Sequence, residues 1–231
     1  MRNLAVIPAR GGSKRIPGKN IKDFLGKPII AYSIRAALDS GLFEEVMVST
    51  DSEEIKAVAE QYGAKVPFLR SSKNADDHAT ISDVMGEVLN YYDEEEVKFD
   101  HVCCLFSTAP FVQISKLKEG LQKLKDGDFI SIVPVQKYGF PILRSLKINE
   151  QDCLEMNWPK YAKTRSQDIP EAYHDAGQFY WAKLPEYNDE RRFYSKKAGY
   201  IILEEIEAQD IDTLEDWKLA EMQFKIVNVN G

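Results

Sequence analysis

In the first third of the chain, short runs of apolar residues alternate with segments whose apolar residues have helical spacing. Residues 4–8 and 46–49 are apolar runs typical of buried strands, and residues 66–69 predict a third strand. The segments between them, 28–38 and 53–62, have the spacing of amphipathic helices. Strands that alternate with helices in this way favour a parallel sheet with right-handed crossovers.

The same alternation continues through the middle of the chain. Residues 71–79 are polar and aperiodic, which predicts a loop. Residues 80–92 and 115–125 have helical spacing, whereas residues 102–106 and 129–135 are apolar enough for buried strands. We therefore predict an α/β fold of the Rossmann-like type, with a mostly parallel sheet and helices on both faces.

The pattern changes after Gln136. Residues 137–195 hold many aromatic residues and several prolines but no long amphipathic helix, and short strands are expected at 143–148 and 178–181. Because a segment of roughly 60 residues makes a marginal core on its own, we interpret it as an insertion within a single domain of residues 1–231. Aromatic residues exposed on this inserted subdomain predict a dimerisation surface.

The C-terminal part returns to the α/β pattern. Residues 200–203 predict a strand, and residues 213–225 predict a terminal helix. Asp212 is expected to cap that helix, because Glu215 three residues later completes a capping-box pattern.

Charge and cysteine content narrow the possible functions. The net charge of −7 argues against a nucleic-acid binder. The three cysteines include an adjacent pair and no Cys-x-x-Cys spacing, so neither a disulfide framework nor a zinc site is expected. We find no signal-peptide pattern and no apolar run of membrane-spanning length, and we expect a cytoplasmic protein that does not associate with membranes.

A glycine-rich basic loop follows the first strand. It carries four cations, which stand out in an acidic chain: Arg10, Lys14, Arg15 and Lys19. Glycines let backbone amides approach phosphate oxygens while cations neutralise them, so the loop is a candidate polyphosphate site. The loop fails the Walker A pattern, because five residues rather than four separate Gly12 from Gly18 and Asn20 replaces the Ser or Thr that would hold magnesium. A phosphate-loop kinase is therefore disfavoured.

Residues 7–20, with the sequence IPARGGSKRIPGKN, resemble the signature of the sugar-acid cytidylyltransferases, which make CMP-sialic acid and its bacterial relatives. The similarity extends over nearly the whole chain through shorter stretches, at residues 48–51, 69–70, 77–82, 107–110, 165–167 and 209–212. Within the family, residues 164–168 and 172–181 are most similar to pseudaminic acid cytidylyltransferases. The resemblance implies a fold of the nucleotide-diphospho-sugar transferase type and a homodimer in which the insertion reaches across to the partner.

The reaction of the family joins CTP to a nine-carbon 2-keto sugar acid, a nonulosonic acid. The anomeric hydroxyl attacks the α-phosphate, and the products are the CMP-sugar and pyrophosphate. By this resemblance CTP and the sugar acid are the partners, Mg²⁺ is the cofactor, and Arg10, Lys19 and Asp210 are catalytic.

The resemblance also assigns the nucleotide-binding residues. Arg70 is matched to the residue that reads cytosine, and the segment 77–82 to a nucleotide-contacting one, in which either Thr80 or Ser82 donates a hydroxyl. The implied nucleotide-binding set is Arg10, Gly11, Gly12, Ser13, Lys19, Asn20, Arg70, Asp77, Thr80 and Ser82.

Two carboxylates near the C-terminus, Asp210 and Asp212, form the predicted metal site. At positions i and i+2 they point to the same side of an extended backbone, and oxygen ligands together with a substrate phosphate suit Mg²⁺. The spacing alone favours a helix cap plus a surface acid, whereas the family resemblance favours the metal. Asp210 is also a hypothetical acceptor for the proton of the attacking hydroxyl.

The sugar end is assigned by the same resemblance to Phe106, Arg144, Arg165, Gln167, His174, Gln178 and Tyr180. A substrate carboxylate favours a guanidinium fork such as that of Arg165. Sialic-acid enzymes carry Gln at the position of Phe106 and usually Arg at that of His174. Because an apolar side chain cannot make the hydrogen bond of that Gln, these departures favour pseudaminic acid, which has more apolar surface.

The sequence thus predicts a cytidylyltransferase that activates pseudaminic acid. N-acetylneuraminate and legionaminate are the alternative sugars, and a nucleotide-sugar binding protein is the alternative without catalysis. The number of metal ions, the identity of the general base and the sugar-site residues that come from a dimer partner stay open.

Overall fold

A computed structural model describes residues 1–184 and 186–229 of the chain. The helices are α1 (Ile29–Ser40), α2 (Glu53–Gln61), α3 (Ser72–Ala75), α4 (Ile81–Glu94), α5 (Ile114–Asp126), α6 (Glu186–Glu190) and α7 (Leu214–Val229). The strands are β1 (Asn3–Pro8), β2 (Asp23–Phe24), β3 (Lys27–Pro28), β4 (Glu45–Ser49), β5 (His101–Leu105), β6 (Ser131–Lys137), β7 (Leu146–Ile148), β8 (Leu154–Met156), β9 (Tyr173–Asp175), β10 (Phe179–Lys183) and β11 (Ala198–Leu203).

A seven-stranded sheet forms the centre of the fold. Its order is β11-β6-β10-β5-β1-β4, and β9 pairs with β6 off this path. β1 pairs in parallel with β4 and β5, and β11 pairs in parallel with β6, whereas β10 runs antiparallel to both of its neighbours. Since only β9 and β10 oppose the common direction, the predicted mostly parallel sheet is confirmed.

Helices cover both faces of the sheet, as the alternation predicts. Helices α1, α2 and α5 pack on one face around fully buried side chains such as Ile34 and Trp181. Helices α4 and α6 pack on the other face, around Met85 and Tyr187. Each fully buried apolar side chain of this size stabilises the fold by about 1.5–3 kcal/mol. Among the described residues, no helix is both long and apolar enough to cross a membrane.

Residues 137–195 contribute two strands, β9 and β10, to the central sheet. The predicted strand at 178–181 is β10, which lies in the middle of the sheet, and its Trp181 stacks on Phe43 with centroids 5.1 Å apart. Residues 138–172, which we call the arm, lie outside the sheet. There β7 and β8 form a separate hairpin whose side chains are largely exposed.

The predicted strand at residues 66–69 is wrong. Only Lys65 bridges to Met47 of β4, and the ladder does not continue. Pro67 has no backbone N–H to donate, which limits a strand at this position. The chain still follows β4, because the amide of Arg70 donates to the carbonyl of Thr50 at 2.8 Å. This brings Arg70 to the C-terminal end of β4.

The predicted cap of the last helix is also wrong. Helix α7 begins at Leu214, and Thr213 forms a reciprocal cap with Asp216: the Thr213 hydroxyl donates to the carboxylate at 2.8 Å, and the Asp216 amide donates to that hydroxyl at 3.2 Å. The Thr-x-x-Asp pattern provides hydrogen-bond acceptors for the free backbone amides of the first helical turn, and it begins one residue later than expected. Asp212 is therefore not needed as a cap.

Candidate active site

A cavity of about 250 Å³ opens at the C-terminal ends of β1 and β5. This edge of an open α/β sheet is where ligands generally bind. Its walls come from the loop after β1, the chain after β4, the start of α4 and the residues after β5. Six predicted nucleotide residues line it: Arg10, Ser13, Lys19, Asn20, Arg70 and Thr80. Gly11 and Gly12 are exposed in the same loop.

The four cations of the basic loop are paired with two carboxylates from distant parts of the chain. Asp77 accepts from Arg10 at 2.8 Å and contacts Lys14. Asp212 lies 2.6 Å from Arg15 Nη1 and 3.6 Å from Lys19 Nζ, and Lys19 also donates to the carbonyl of Ile211. The loop is thus a cluster of positive charge whose partners are anionic oxygens, the kind of group that a phosphate also presents.

Two buried polar contacts hold the loop in shape. The amide of Asn20 donates to the carbonyl of Arg10 at 2.8 Å, and its oxygen accepts from the hydroxyl of Ser107 at 2.8 Å. Asn20 was predicted to hold the nucleotide, and here its side chain fastens the loop to the end of β5. Asp51 accepts from the amide of Gly11 at 2.8 Å, so this predicted phosphate-binding amide already has a partner within the protein.

Gly11 is favoured by tight packing rather than by an unusual backbone angle. A Cβ at this position would lie 3.2 Å from the Cβ of Ser52 and 3.8 Å from the carboxylate of Asp51. Gly18 does have a left-handed backbone, with φ of +63°, which favours glycine.

Arg70 is buried in the cavity wall. Its Nε donates to the hydroxyl of Ser49 at 3.0 Å, and its Nη2 donates to the carbonyl of the same residue. Burial lowers the pKa of Arg70, an effect opposed by the nearby carboxylates of Asp51 and Glu87. A guanidinium has five N–H donors in a rigid fork, so the bonds to Ser49 fix its plane and leave further donors for a ligand.

The start of α4 separates Thr80 from Ser82. Thr80 caps the helix, because its hydroxyl donates to Asp83 at 2.6 Å and accepts from the Asp83 amide at 3.2 Å, and it lines the cavity. Ser82 lines a different groove of about 570 Å³ on the other side of α4, where Asp83, Glu87 and Glu94 are also found. These three carboxylates outnumber the two cations of its lining, Lys73 and Arg191, so this groove suits a polyphosphate less well although it is the larger of the two.

The predicted metal pair lies at the end of the basic loop. A cluster of Ile16, Phe24, Ile211 and Trp217 packs the start of α7 against the loop. Partial burial, and then repulsion from the Asp212 carboxylate, raise the pKa of Asp210 above its ordinary value.

The carboxylate oxygens of Asp210 and Asp212 are ligands of the type that a divalent cation prefers. Two carboxylates with substrate phosphate and water are the common ligands of Mg²⁺ in proteins, and a cation would offset the repulsion between Asp210 and Asp212. Within the described ranges, no group of three or more His, Cys, Asp or Glu side chains forms a complete metal cage. The pair therefore suits a metal that is shared with the substrate.

Two predicted sugar residues come together beside the cavity. The rings of Phe106 and Tyr180 meet edge to face with centroids 5.2 Å apart. The Tyr180 hydroxyl donates to Asp175, and burial followed by this hydrogen bond raises the pKa of the tyrosine. Tyr194 joins the group, 6.1 Å from Tyr180, and burial together with Asp175 raises its pKa too. Gln178 is buried, and its side-chain amide donates to the carbonyl of Glu207.

The other predicted sugar residues lie on or beside the arm and not in the cavity of the same chain. Arg165 is exposed and pairs with Asp168 at 2.7 Å. Arg144 donates to the hydroxyl of Ser166 at 3.4 Å, and Gln167 lines a separate groove of about 270 Å³. His174 packs against Tyr138 with ring centroids 4.9 Å apart. None of these four residues lines the cavity of its own chain.

Sequence reasoning missed Asp51, Ser107, Asp175 and Tyr194 as parts of the site. Asp51 and Ser107 lie two positions after the last residues of β4 and β5, and polar residues at the carboxyl ends of parallel strands are a usable signal. Asp175 lies within the stretch of subfamily resemblance. For Tyr194, no signal is present in its local sequence.

Comparisons with known proteins agree with this architecture. The family model described as Cytidylyltransferase matches residues 4–226. A pseudaminic acid cytidylyltransferase of Campylobacter jejuni is 41% identical over 98% of this chain and 97% of its own length. A CMP-N,N'-diacetyllegionaminic acid synthase of Legionella pneumophila is 34% identical over 98% of this chain and 97% of its own.

A solved structure supports the fold. The structure of a CMP:2-keto-3-deoxy-manno-octonic acid synthetase complexed with CTP superimposes with a TM-score of 0.69 at 19% identity, over 99% of both chains. At this identity the similarity concerns the fold and not the ligand.

Proposed function

The chain belongs to the cytidylyltransferase family, and we propose that it transfers CMP from CTP to pseudaminic acid and releases pyrophosphate. One observation carries this proposal: the four cations of a strand-end loop lie at one cavity, each paired with a carboxylate that a phosphate can replace. The choice of sugar is supported by the 41% identity to a relative that is named for pseudaminic acid.

The nucleotide is assigned along the cavity by charge and hydrogen-bonding capacity. Arg10 and Lys14 hold the terminal phosphates, and Lys19 lies near the α-phosphate, next to the acidic pair. Arg70 reads cytosine with the donors that Ser49 does not use. Asn20 acts mainly by keeping the loop in place.

The chemistry is a displacement at phosphorus. The anomeric oxygen of the sugar forms a bond to the α-phosphate, the bond from that phosphorus to the bridging oxygen breaks, and pyrophosphate leaves with the bonding electrons. Asp210 lies at the acidic pair beside Lys19 and takes the proton of the attacking hydroxyl. Asp210 and Asp212 would hold Mg²⁺, which would supply a Lewis acid that offsets the phosphate charge.

The sugar acid lies against Phe106, Tyr180 and Tyr194, whose rings offer apolar surface to the methyl groups of two acetamido substituents. Its carboxylate needs a guanidinium, and Arg165 lies on the exposed arm. We therefore infer a homodimer in which the arm of one chain closes the sugar site of the other. The reaction takes place in the cytosol, where CTP is available.

The test is a substrate panel with the full chain. We expect pyrophosphate and a CMP-sugar from CTP, Mg²⁺ and pseudaminic acid, and much slower turnover with N-acetylneuraminate or legionaminate. ATP, GTP and UTP serve as matched nucleotide controls. Faster turnover of another sugar would reassign the substrate, and binding of CTP without pyrophosphate release would favour a nucleotide-sugar binding protein.

A further inference from the structure

Asp77 is held by two cations of the basic loop. Its Oδ1 accepts from Arg10 Nη1 at 2.8 Å, and its Oδ2 contacts Lys14 Nζ. The same Nη1 donates to the carbonyl of Asp76 at 2.9 Å. These are the two cations to which the proposed function assigns the terminal phosphates. A carboxylate of the protein therefore occupies positions that suit the charge of the substrate.

The segment that carries Asp77 is anchored on both sides. Glu87 of α4 accepts from the amide of Ser71 at 2.9 Å, and also from the side chain of Asn74 at 2.8 Å. Asp76 accepts at 2.8 Å from the amides two and three positions later, which closes a tight turn. The backbone around Asp77 is thus held close to the basic loop, so the local concentration of its carboxylate is high.

The contact itself is exchangeable. The side chain of Asp77 is 41% exposed and that of Lys14 is 76% exposed, and ion pairs in such surroundings are weak. A triphosphate carries several negative charges and outcompetes a single carboxylate. Hydrogen bonds from Lys14 and Arg10 hold the pKa of Asp77 below its ordinary value, so the carboxylate stays charged near neutral pH.

We propose that Asp77 is a built-in competitor for the terminal phosphates of the nucleotide. It occupies Arg10 and Lys14 in the free enzyme, yields them to the incoming triphosphate and takes them back as pyrophosphate leaves. The identity of the nucleotide rests on the proposed function, whereas the competition concerns any polyphosphate. Its cost is weaker binding of CTP, and its benefit is faster release of pyrophosphate.

The experiment compares the wild type with Asp77→Asn, using the full chain and isothermal titration calorimetry. CTP and inorganic tripolyphosphate are expected to bind the variant about two- to fivefold more tightly, the range of a weak exposed ion pair. Cytidine has no phosphate and is expected to bind both proteins equally. In steady-state assays pyrophosphate becomes a stronger inhibitor of the variant by a similar factor.

Two further variants sharpen the result. Asp128→Asn removes the same charge from another exposed ion pair, with Lys197 at 2.8 Å, and should leave all three affinities unchanged. Lys14→Gln should reduce the gain that Asp77→Asn produces, because one of the two released cations is then absent.

Equal or weaker binding of CTP and tripolyphosphate by Asp77→Asn would overturn the proposal, and weaker binding would make Asp77 a direct nucleotide contact instead. If tripolyphosphate binds the variant more tightly, the competition by Asp77 is supported whichever nucleotide the protein uses. If, in addition, neither protein binds CTP more tightly than ATP, GTP or UTP, the proposed function is contradicted while the competition is not.

Discussion

Arg70 lies in the cavity wall with two of its nitrogen atoms already bonded to Ser49. Lysine cannot keep both bonds and also present a planar fork to a base. We therefore expect Arg70→Lys to weaken CTP binding by about tenfold, consistent with the loss of one hydrogen bond to a charged group, and to reduce the preference for CTP over UTP. Titration of both nucleotides measures this.

The matched control for Arg70 is Arg2→Lys. Arg2 is exposed and lies 3.9 Å from Glu44, at the N-terminal end of β1, whereas the cavity lies at the C-terminal end of that strand. Its substitution should leave both affinities unchanged. An undiminished preference for CTP in Arg70→Lys would remove Arg70 from base recognition.

We expect the substitution Asp210→Asn to raise the stability of the metal-free protein and to lower its turnover. Its folded-state pKa is raised, so its contribution favours folding at low pH and is lost as the pH rises through that pKa. At neutral pH without metal, Asp210→Asn should therefore raise the melting temperature, and this gain should shrink as the solution is acidified. Turnover should fall by about 100-fold or more, since an electrostatic group at the reacting phosphate is lost.

Two measurements test this pair of effects. Melting curves from neutral to acidic pH in EDTA follow the stability difference, and a Mg²⁺ titration in the presence of CTP follows the metal. Mg²⁺ should stabilise the wild type in that titration and not Asp210→Asn. Full turnover by the variant would exclude Asp210 as the base.

Helices α4 and α7 begin with the same device, a Thr-x-x-Asp capping box. Removing the hydroxyl should lower the free energy of unfolding by about 1 kcal/mol in Thr213→Ala and in Thr80→Ala. Only Thr80 lines the cavity, so only Thr80→Ala should also weaken CTP binding. Urea denaturation together with nucleotide titration compares the two; equal losses of CTP affinity would contradict the assignment.

The elements show where local pattern is sufficient. Helices such as α4 and α5 were predictable because their apolar spacing is a property of neighbouring residues. The strand expected at 66–69 fails because the apolar run contains Pro67, which cannot donate to a ladder. The cap of α7 was misplaced by one residue because Asp212 and Thr213 both have capping side chains, and only the helix geometry chooses between them.

The arm gives the whole molecule an exposed apolar surface outside its core. Phe140, Ile148 and Leu154 are 68%, 70% and 72% exposed, and Ile148 faces Leu154 across the β7–β8 hairpin. Exposed apolar surface of this kind is typical of an interface. We expect the double variant Ile148→Lys, Leu154→Glu to be monomeric at 26.4 kDa, whereas the wild type has about twice that mass.

The substitutions in this variant are chosen to keep the hairpin, because opposite charges across a strand pair are favourable. Light scattering after size exclusion gives the mass, and circular dichroism checks the fold. Leu219→Glu, at a 52% exposed position on α7, is the control and should stay dimeric. Turnover should be lost with the dimer if Arg165 acts in the partner's site; an active monomer would contradict that assignment.

The cation loop was recognisable without the fold, because its glycines and charges are consecutive in the chain. Its pairing was not, since Arg10 and Asp77 are 67 positions apart and Lys19 and Ile211 are 192 apart. Contacts over such separations depend on how the sheet orders its strands and on how α7 packs against the loop, and no local pattern encodes them.

The chain's own pattern was sufficient for the α/β class, for the helices on both faces and for a basic loop at a strand end, because each of these is a short-range property. Packing decided that β10 enters the middle of the sheet and that Arg144 and Arg165 lie away from the cavity of their own chain. Packing also places Asp212, which was expected to cap a helix, in ion pairs with Arg15 and Lys19 of the loop. The places of β10 and of Asp212 accompany the burial of Trp181 and Trp217 among residues far away in sequence, which is a property of the folded chain as a whole.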